Sequence, residues 1–288
     1  MEKNDGKHKI AVVVVLFNPS ESDIQNVRGL SSAYDGAIID NSEKPFSELA
    51  TIGRMRYVCN KRNMGIAEAQ NIGIRLILEQ DIYSHIVFLD QDSRLPLSYP
   101  QDMVSEFRTL KSIYPRLAIL GPTVNNKETG EEYKSVIHKY STDGNGFSQR
   151  RHIISSGSCI PAEVLKDVGG MDSSMFIDYV DFEWCWRAED KGYVCGLTDR
   201  IHISHKVGTR ELSFGKYKVI VSSPFRYFYQ YRNYLWLIRK KYVPLQWKIA
   251  TGVKFLLRLV YFPILVNGGF KYWNNMIKGL EAGIWQRK

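Results

Sequence analysis

The sequence predicts an α/β fold: a mostly parallel sheet flanked by helices, followed by a helical C-terminal extension. Three observations carry this expectation. Short runs rich in Val and Ile alternate with stretches of helix spacing. The first of these runs is continuous rather than alternating, which suits a parallel strand buried on both faces. From Pro224 onward the pattern turns to helix spacing, with aromatic and basic residues throughout.

The elements follow in order. KIAVVVVLFN is the first strand, ended by Asn18-Pro19-Ser20, and SDIQNVRGL follows with helix spacing and Ser22 as a candidate N-cap. GAIID, the second strand, ends at Asp40-Asn41-Ser42; RMRYVCN, the third, runs into Lys61-Arg62-Asn63-Met64-Gly65. IAEAQNIGIRLILEQ reads as a helix and HIVFLD as the fourth strand. Strand, helix, strand, strand, helix, strand describes a sheet with crossover connections. QDMVSEFRTLKSI is then helical and LAILGPTV a further strand, while the polar residues 125–150 read as an extended connection or hairpin. IISSGSCIP reads as a short strand leading into the helix AEVLKDVGG, and RIHISHKVG as a strand ending at Gly208. The tail supplies FRYFYQYRNYLWLIRK, VPLQWKIATGVKFLLRLVYF and NNMIKGLEAGIWQ as helices.

Composition narrows the class. The 288 residues are 44% hydrophobic and 24% charged, ordinary for a globular protein with a full core. MEKNDGKHKI lacks the apolar core of a signal peptide, and Cys59, Cys159, Cys185 and Cys195 contain no C-x-x-C pair. Reduced thiols in a cytoplasmic protein are expected, without structural zinc. The net charge of +9 is uneven: residues 216–288 hold fourteen Lys/Arg and a single acid, Glu281, with 17 of the 36 aromatic residues. FLLRLVYFPILV (255–266) is interrupted by Arg258 and Pro263, so it is not expected to span a bilayer. The tail suits docking on an anionic membrane surface, or equally a packed helical cap with solvated lysines.

Each polar cluster of the first half follows the carboxyl end of a strand. Asn18, Asp40-Asn41, Asn63 and Asp90-Asp92 are therefore expected along one edge of a parallel sheet, where open α/β sheets bind ligands. In FLDQDSRLP, Asp90 and Asp92 flank one residue; two like charges this close are disfavoured unless a cation sits between them. Mg²⁺ and Mn²⁺ favour such oxygen ligands, and a solvated turn is the alternative. In FIDYVDFEWCWRAEDKGY, Glu183 and Arg187 form an i, i+4 structural pair. Asp181, near a helix start and beside Trp184, is a candidate general base with a raised pKa, or else an N-cap. Gly65 after Asn63 allows close backbone approach to a ligand, and the helix after it offers amides to a phosphate; an ordinary turn is the alternative. His205 at a strand end is a candidate metal ligand or phosphate contact, or a plain strand histidine. RYFYQYRN either binds a phosphate or sugar face or packs on the main domain.

Taken together and in order, VVVLFNP, IDNS, N-M-G-I-A-x-A-x-N-x-G, FLDQDS, SSGSCIP and FIDYVDFEWCWRA resemble the family 2 glycosyltransferases, and among them the bacterial rhamnosyltransferase group. The resemblance covers roughly residues 10–235. It implies a GT-A fold, with a Rossmann-like nucleotide-sugar half over about 1–124, an acceptor half over about 125–215 and a basic, aromatic helical region over 216–288. It implies that Asn18 and Pro19 line the nucleotide pocket, that Asp40 hydrogen-bonds the base, and that Asn63 and Gly65 sit against the ribose and its phosphate. Asp90 and Asp92 match the D-x-D motif that holds Mg²⁺ or Mn²⁺ on the donor pyrophosphate, and Asp181 matches the base of inverting members. Val180 stands where many relatives have a glutamate, which leaves Asp178 as a second candidate base.

The activity so implied is inverting, metal-dependent transfer of a sugar, L-rhamnose from dTDP-rhamnose, onto a saccharide acceptor in surface polysaccharide synthesis of O-antigen or capsule type. The acceptor, on a lipid carrier at the inner face of the cell membrane, would be met by Ser156, Gly157, Asp178 and Trp184, and no nucleic acid is involved. A UDP-hexose donor is the nearest alternative. A D-x-D phosphatase fits less well, because its aspartate stands on the first strand. A non-catalytic, membrane-associated saccharide-binding module accounts for the tail only.

Overall fold

The structure, a computed structural model, describes residues 9–46, 49, 53–126, 142–205, 210–214 and 217–286. The opening strand β1 (Lys9–Leu16) is buried along most of its length, as its unbroken valines require. Helix α1 (Glu21–Ala33) is capped by Ser20 rather than by Ser22. The Ser20 backbone N–H donates to Asp23 at 2.9 Å while the Asp23 N–H donates to the Ser20 hydroxyl, a reciprocal box that Ser22 has no acid in position to complete. Next come β2 (Asp35–Asp40), β3 (Met55–Cys59), α2 (Gly65–Leu78) and β4 (Tyr83–Asp90). These four strands are parallel in the order β3-β2-β1-β4. Their carboxyl ends are level, since Leu16 pairs with Asp40, Val15 with Asp90 and Asp40 with Cys59.

The rest of the sheet is built from α3 (Tyr99–Ile113), β5 (Leu117–Asn126), β6 (Phe147–Gln149), β7 (Cys159–Pro161), α4 (Ala162–Val168), α5 (Val180–Asp190) and β8 (Val194–His205). The full order is β3-β2-β1-β4-β7-β5-β8-β6. Only three residues of IISSGSCIP form a strand, β7, and it runs antiparallel to both β4 and β5. Gly157 turns the chain before it, donating its N–H to the Phe88 carbonyl at 2.8 Å. Of the connection 125–150, residues 127–141 lie outside the described residues. One face of the sheet packs Ile74, Ile77, Trp184 and Trp186 from α2 and α5; the other packs Ile24, Val27, Met103 and Phe107 from α1 and α3.

A hairpin, β9 (Arg210–Phe214) and β10 (Tyr217–Val221), leads to α6 (Pro224–Leu237), α7 (Leu245–Leu265) and α8 (Gly269–Trp285). Proline opens α6, where a missing N–H is without cost. The three helices close on Tyr227, Tyr231, Phe255, Phe262 and Met276. No helix among the described residues is long and apolar enough to cross a membrane.

Candidate active site

The level strand ends are joined to one another by polar side chains. The Asn18 N–H donates to the Ser42 hydroxyl at 2.8 Å, linking the ends of β1 and β2, and Asn18 holds φ +46° to do so. Asn60 donates to the Asn41 side chain at 2.8 Å, and Asn41 in turn donates to the Gly65 carbonyl at 3.0 Å. Gln91, between the two aspartates, accepts from the Phe17 N–H at 2.8 Å. This leaves Asn18, Asn63 and Asp92 exposed along one edge, with Asp90 half-buried at the strand end and Pro19 buried behind.

Several groups expected to meet a ligand are already engaged within the protein. Asp40 is fully buried: its carboxylate accepts from the Tyr57 hydroxyl at 2.6 Å and from the Ser42 N–H at 2.8 Å, so it presents no surface to a base. Burial, then the adjacent Asp40 carboxylate, pushes the Tyr57 pKa up and keeps that hydroxyl a donor. The amides at the start of α2 are occupied as well, because Gly65 donates to the Asn63 side chain at 2.9 Å and Ile66 to the Phe176 carbonyl at 2.7 Å. Gly65 is needed for that approach: at φ +80° an added side-chain carbon would lie 2.5 Å from the Phe176 oxygen. Trp184, expected to meet the acceptor, is a core residue without exposure, its indole N–H bound to the Gly169 carbonyl at 2.9 Å. Helix spacing places it on the inner face of α5. Ser156 and Gly157 are buried, and the Gly157 carbonyl accepts from Tyr99 at 2.7 Å.

Against this edge, where Ile66 donates to the Phe176 carbonyl, stands the loop before α5. Asp181 lies one residue inside α5, whose N-cap is Tyr179. Its carboxylate accepts from the Ser155 N–H at 3.2 Å and the Phe182 N–H at 3.0 Å. Part of the residue reaches solvent, but dense packing around the carboxyl prevails: burial outweighs the two amides and, with Asp178 nearby, pushes the pKa up to about 6. Asp178 has a different environment, paired to Arg226 with Nε–Oδ2 at 3.1 Å and its side chain only 9% exposed. The expected pair of Glu183 with Arg187 is present at 3.0 Å.

Sequence reasoning missed how this loop is held. Phe176, Asp178 and Tyr179 all adopt positive φ, between +64° and +66°, a conformation costly for side chains of this size. Asn233 of α6 donates to the carbonyls of Met175, Ile177 and Asp178 at 2.9–3.0 Å, and Arg232 to those of Ser174 and Met175 at 2.6 and 3.0 Å. The tail segment RYFYQYRN therefore packs on the main domain. Its signal was an Arg-Asn pair at buried positions of an otherwise aromatic helix. Residue type alone did not reveal its partners.

No group of three or more His, Cys, Asp or Glu placed to hold a metal ion occurs among the described residues, and the His205 side chain lies outside them. Asp90 and Asp92 form a pair of hard oxygen donors at the sheet edge, a set that fits Mg²⁺ or Mn²⁺ when substrate phosphates complete the coordination.

Comparison with known proteins agrees with this architecture. The chain is 32% identical over 298 residues to dTDP-rhamnosyl transferase RfbF of Shigella flexneri, an alignment that covers 96% of this chain and 95% of that protein. It is 24% identical over 212 residues to the low-salt glycan biosynthesis hexosyltransferase Agl10 of Haloferax volcanii, covering 67% of this chain and 66% of the relative. Among solved structures, S. aureus TarS 1-349 superposes with a TM-score of 0.54 at 13% identity, over 97% of this chain and 82% of that one. GalNAc-T7 with UDP, GalNAc and Mn²⁺ gives 0.52 at 14% identity over 70% of this chain, which spans 44% of the GalNAc-T7 chain. These two likenesses show the fold alone. No family model matches the sequence.

Proposed function

This chain belongs to the family 2 glycosyltransferases, most like the bacterial rhamnosyltransferase group, and on that basis we propose that it transfers L-rhamnose from dTDP-rhamnose to a saccharide acceptor with inversion at the anomeric carbon. The observation that carries the reading is the identity of 32% over nearly the whole chain to a dTDP-rhamnosyl transferase. Membership of the family sets aside the phosphatase and the non-catalytic binding module. In this reading residues 1–124 take the donor and 125–215 the acceptor, with 216–288 as support. The enzyme works in the cytoplasm, on a lipid-borne acceptor at the inner face of the cell membrane, in synthesis of a surface polysaccharide.

Asn18, Pro19, Asn63 and Gly65 border the donor, and Asp40 acts through Tyr57 and the Ser42 turn that it holds. Asp90 and Asp92 would hold Mg²⁺ or Mn²⁺, with His205 at the end of β8 as the third candidate ligand. A cation held there would supply neutralisation of charge on the nucleoside diphosphate. Asp181 accepts the acceptor hydroxyl proton as that oxygen bonds to the anomeric carbon and the bond to the diphosphate oxygen breaks on the opposite face. A carboxyl with a pKa of about 6 is mostly ionised at neutral pH yet basic enough to take a proton, whereas Asp178 is committed to Arg226.

Thermal shift with dTDP, UDP and GDP, each with and without Mn²⁺, tests the donor. A ligand bound only to the native state adds ~2.7 kcal/mol at a hundred times its Kd. A Mn²⁺-dependent shift with dTDP and none with UDP is expected, followed by dTDP release from dTDP-rhamnose on addition of acceptor. A shift with UDP alone replaces the rhamnosyl reading by a UDP-hexose donor.

A further inference from the structure

Helix α7 turns an apolar face to solvent. Leu245, Ile249, Val253, Leu256, Val260 and Ile264 recur every three or four residues and are all exposed, Leu256 by 67% and Ile264 by 76%. That spacing keeps them on one side of the helix, opposite the buried Phe255 and Phe262. No charged residue interrupts the series at these positions, although the outer side of a packed helix is ordinarily polar. At ~1.5 Å per residue, the 21 residues of α7 carry this face over roughly 30 Å. Helix α8 adds exposed Phe270, Trp273 and Trp285, the last 82% exposed, beside exposed Lys271 and Lys278.

We propose that α7 lies in the plane of an anionic bilayer surface, its apolar face at the boundary of headgroups and acyl chains and the α8 tryptophans and lysines at headgroup level. Aliphatic residues flanked by Trp and Lys are the composition of an interfacial helix. Charge selects the occupant: residues 216–288 carry fourteen Lys/Arg against one acid, so a second copy on this face opposes like to like, whereas acidic lipid complements it. The inner side of α7 reaches the start of α5, which carries Asp181, because Trp247 packs against Tyr179 at 5.1 Å and Trp186 at 4.8 Å between ring centroids. A docked helix thus holds the candidate base next to the surface on which a lipid-borne acceptor travels. The proposal deepens the reading that the acceptor is lipid-borne and rests on it.

Co-sedimentation of the full chain with vesicles provides the test, comparing phosphatidylcholine alone with mixtures containing phosphatidylglycerol, at low and high salt. Binding to the anionic vesicles, weakened by salt, is expected. The double variant Leu256→Glu, Val260→Glu alters only exposed side chains and should partition roughly tenfold less or weaker still, with unchanged melting and nucleotide response. The proposal is overturned if the full chain ignores anionic vesicles, or if the variant binds them equally. Light scattering that shows a dimer broken by the variant would also overturn it, since a second copy would then cover the face. Vesicle binding needs neither donor nor acceptor, so its failure leaves the transferase reading standing. Absence of any nucleotide response in a vesicle-binding protein faults the transferase reading instead.

Discussion

As the proposed base, Asp181 has two opposed requirements, to be ionised at working pH and to bind a proton during transfer. Burial answers both by raising its pKa to about 6, while the Ser155 and Phe182 amides keep it from rising further. A base acts when deprotonated, so kcat/KM should climb with pH through about 6 and level off above it. Asp181→Asn should lose turnover by ~10²- to 10⁴-fold, abolish that limb and keep the nucleotide-induced rise in melting temperature. A flat profile in the parent enzyme, or a variant that turns over undiminished, would move the role elsewhere. The raised pKa also means that folding takes up a proton: stability falls as pH rises from about 4 towards about 6, the reverse of an ion-paired aspartate. The strand-end positions of Asp90 and Asp92 and the helix-start position of Asp181 were legible in the sequence, because residue type and local pattern suffice for them. The withdrawal of Asp40 behind Tyr57 was not, because it depends on a neighbour from another strand.

At the scale of elements, α6 is the part whose importance periodicity could not convey. The helix itself is plain in FRYFYQYRNYLWLIRK, and helices and parallel strands in general followed their spacing. What spacing misses is a partner distant in the chain: Asn233 reaches carbonyls some 55 to 58 residues earlier. It likewise missed that β7 is three residues long and antiparallel to both neighbours, since strand direction is set by topology rather than by local pattern. Asn233 is a positioning residue, supplying the donors that hold Phe176, Asp178 and Tyr179 at positive φ. Asn233→Ala removes these bonds inside the protein and should cost about 2 kcal/mol of stability. Donor affinity should stay the same and kcat should fall, because the strand edge proposed to meet the nucleotide is untouched while the approach to Asp181 loosens. A variant that lost stability and donor affinity alike, with kcat preserved, would make α6 a general scaffold instead.

Across the whole molecule, the basic aromatic tail was legible as helices that either pack as a cap or dock on a membrane, but not as the support of a particular loop. α8 lies so close on α6 that a side-chain carbon at Gly279 would come within 2.4 Å of the Phe228 carbonyl oxygen, and one at Gly283 within 3.1 Å of that of Arg232. α7 covers the adjacent side of α6, with Phe255 stacked on Tyr231 at 4.2 Å and Phe262 against Tyr227 at 5.1 Å. α7 and α8 therefore back α6, α6 holds the loop, and the loop presents Asp181. A tail that served only as an anchor could be removed without loss of activity on a soluble acceptor; this one should not be removable. A chain ending at residue 243 uncovers Tyr227 and Tyr231, and at ~1.5–3 kcal/mol for each large side chain re-exposed it forfeits several kcal/mol. It should melt well below the full chain and turn over a soluble acceptor poorly, whereas Leu256→Glu, Val260→Glu should process that acceptor normally. Full activity in the truncated chain would show that α6 holds the loop unaided, and would reduce α7 and α8 to an attachment.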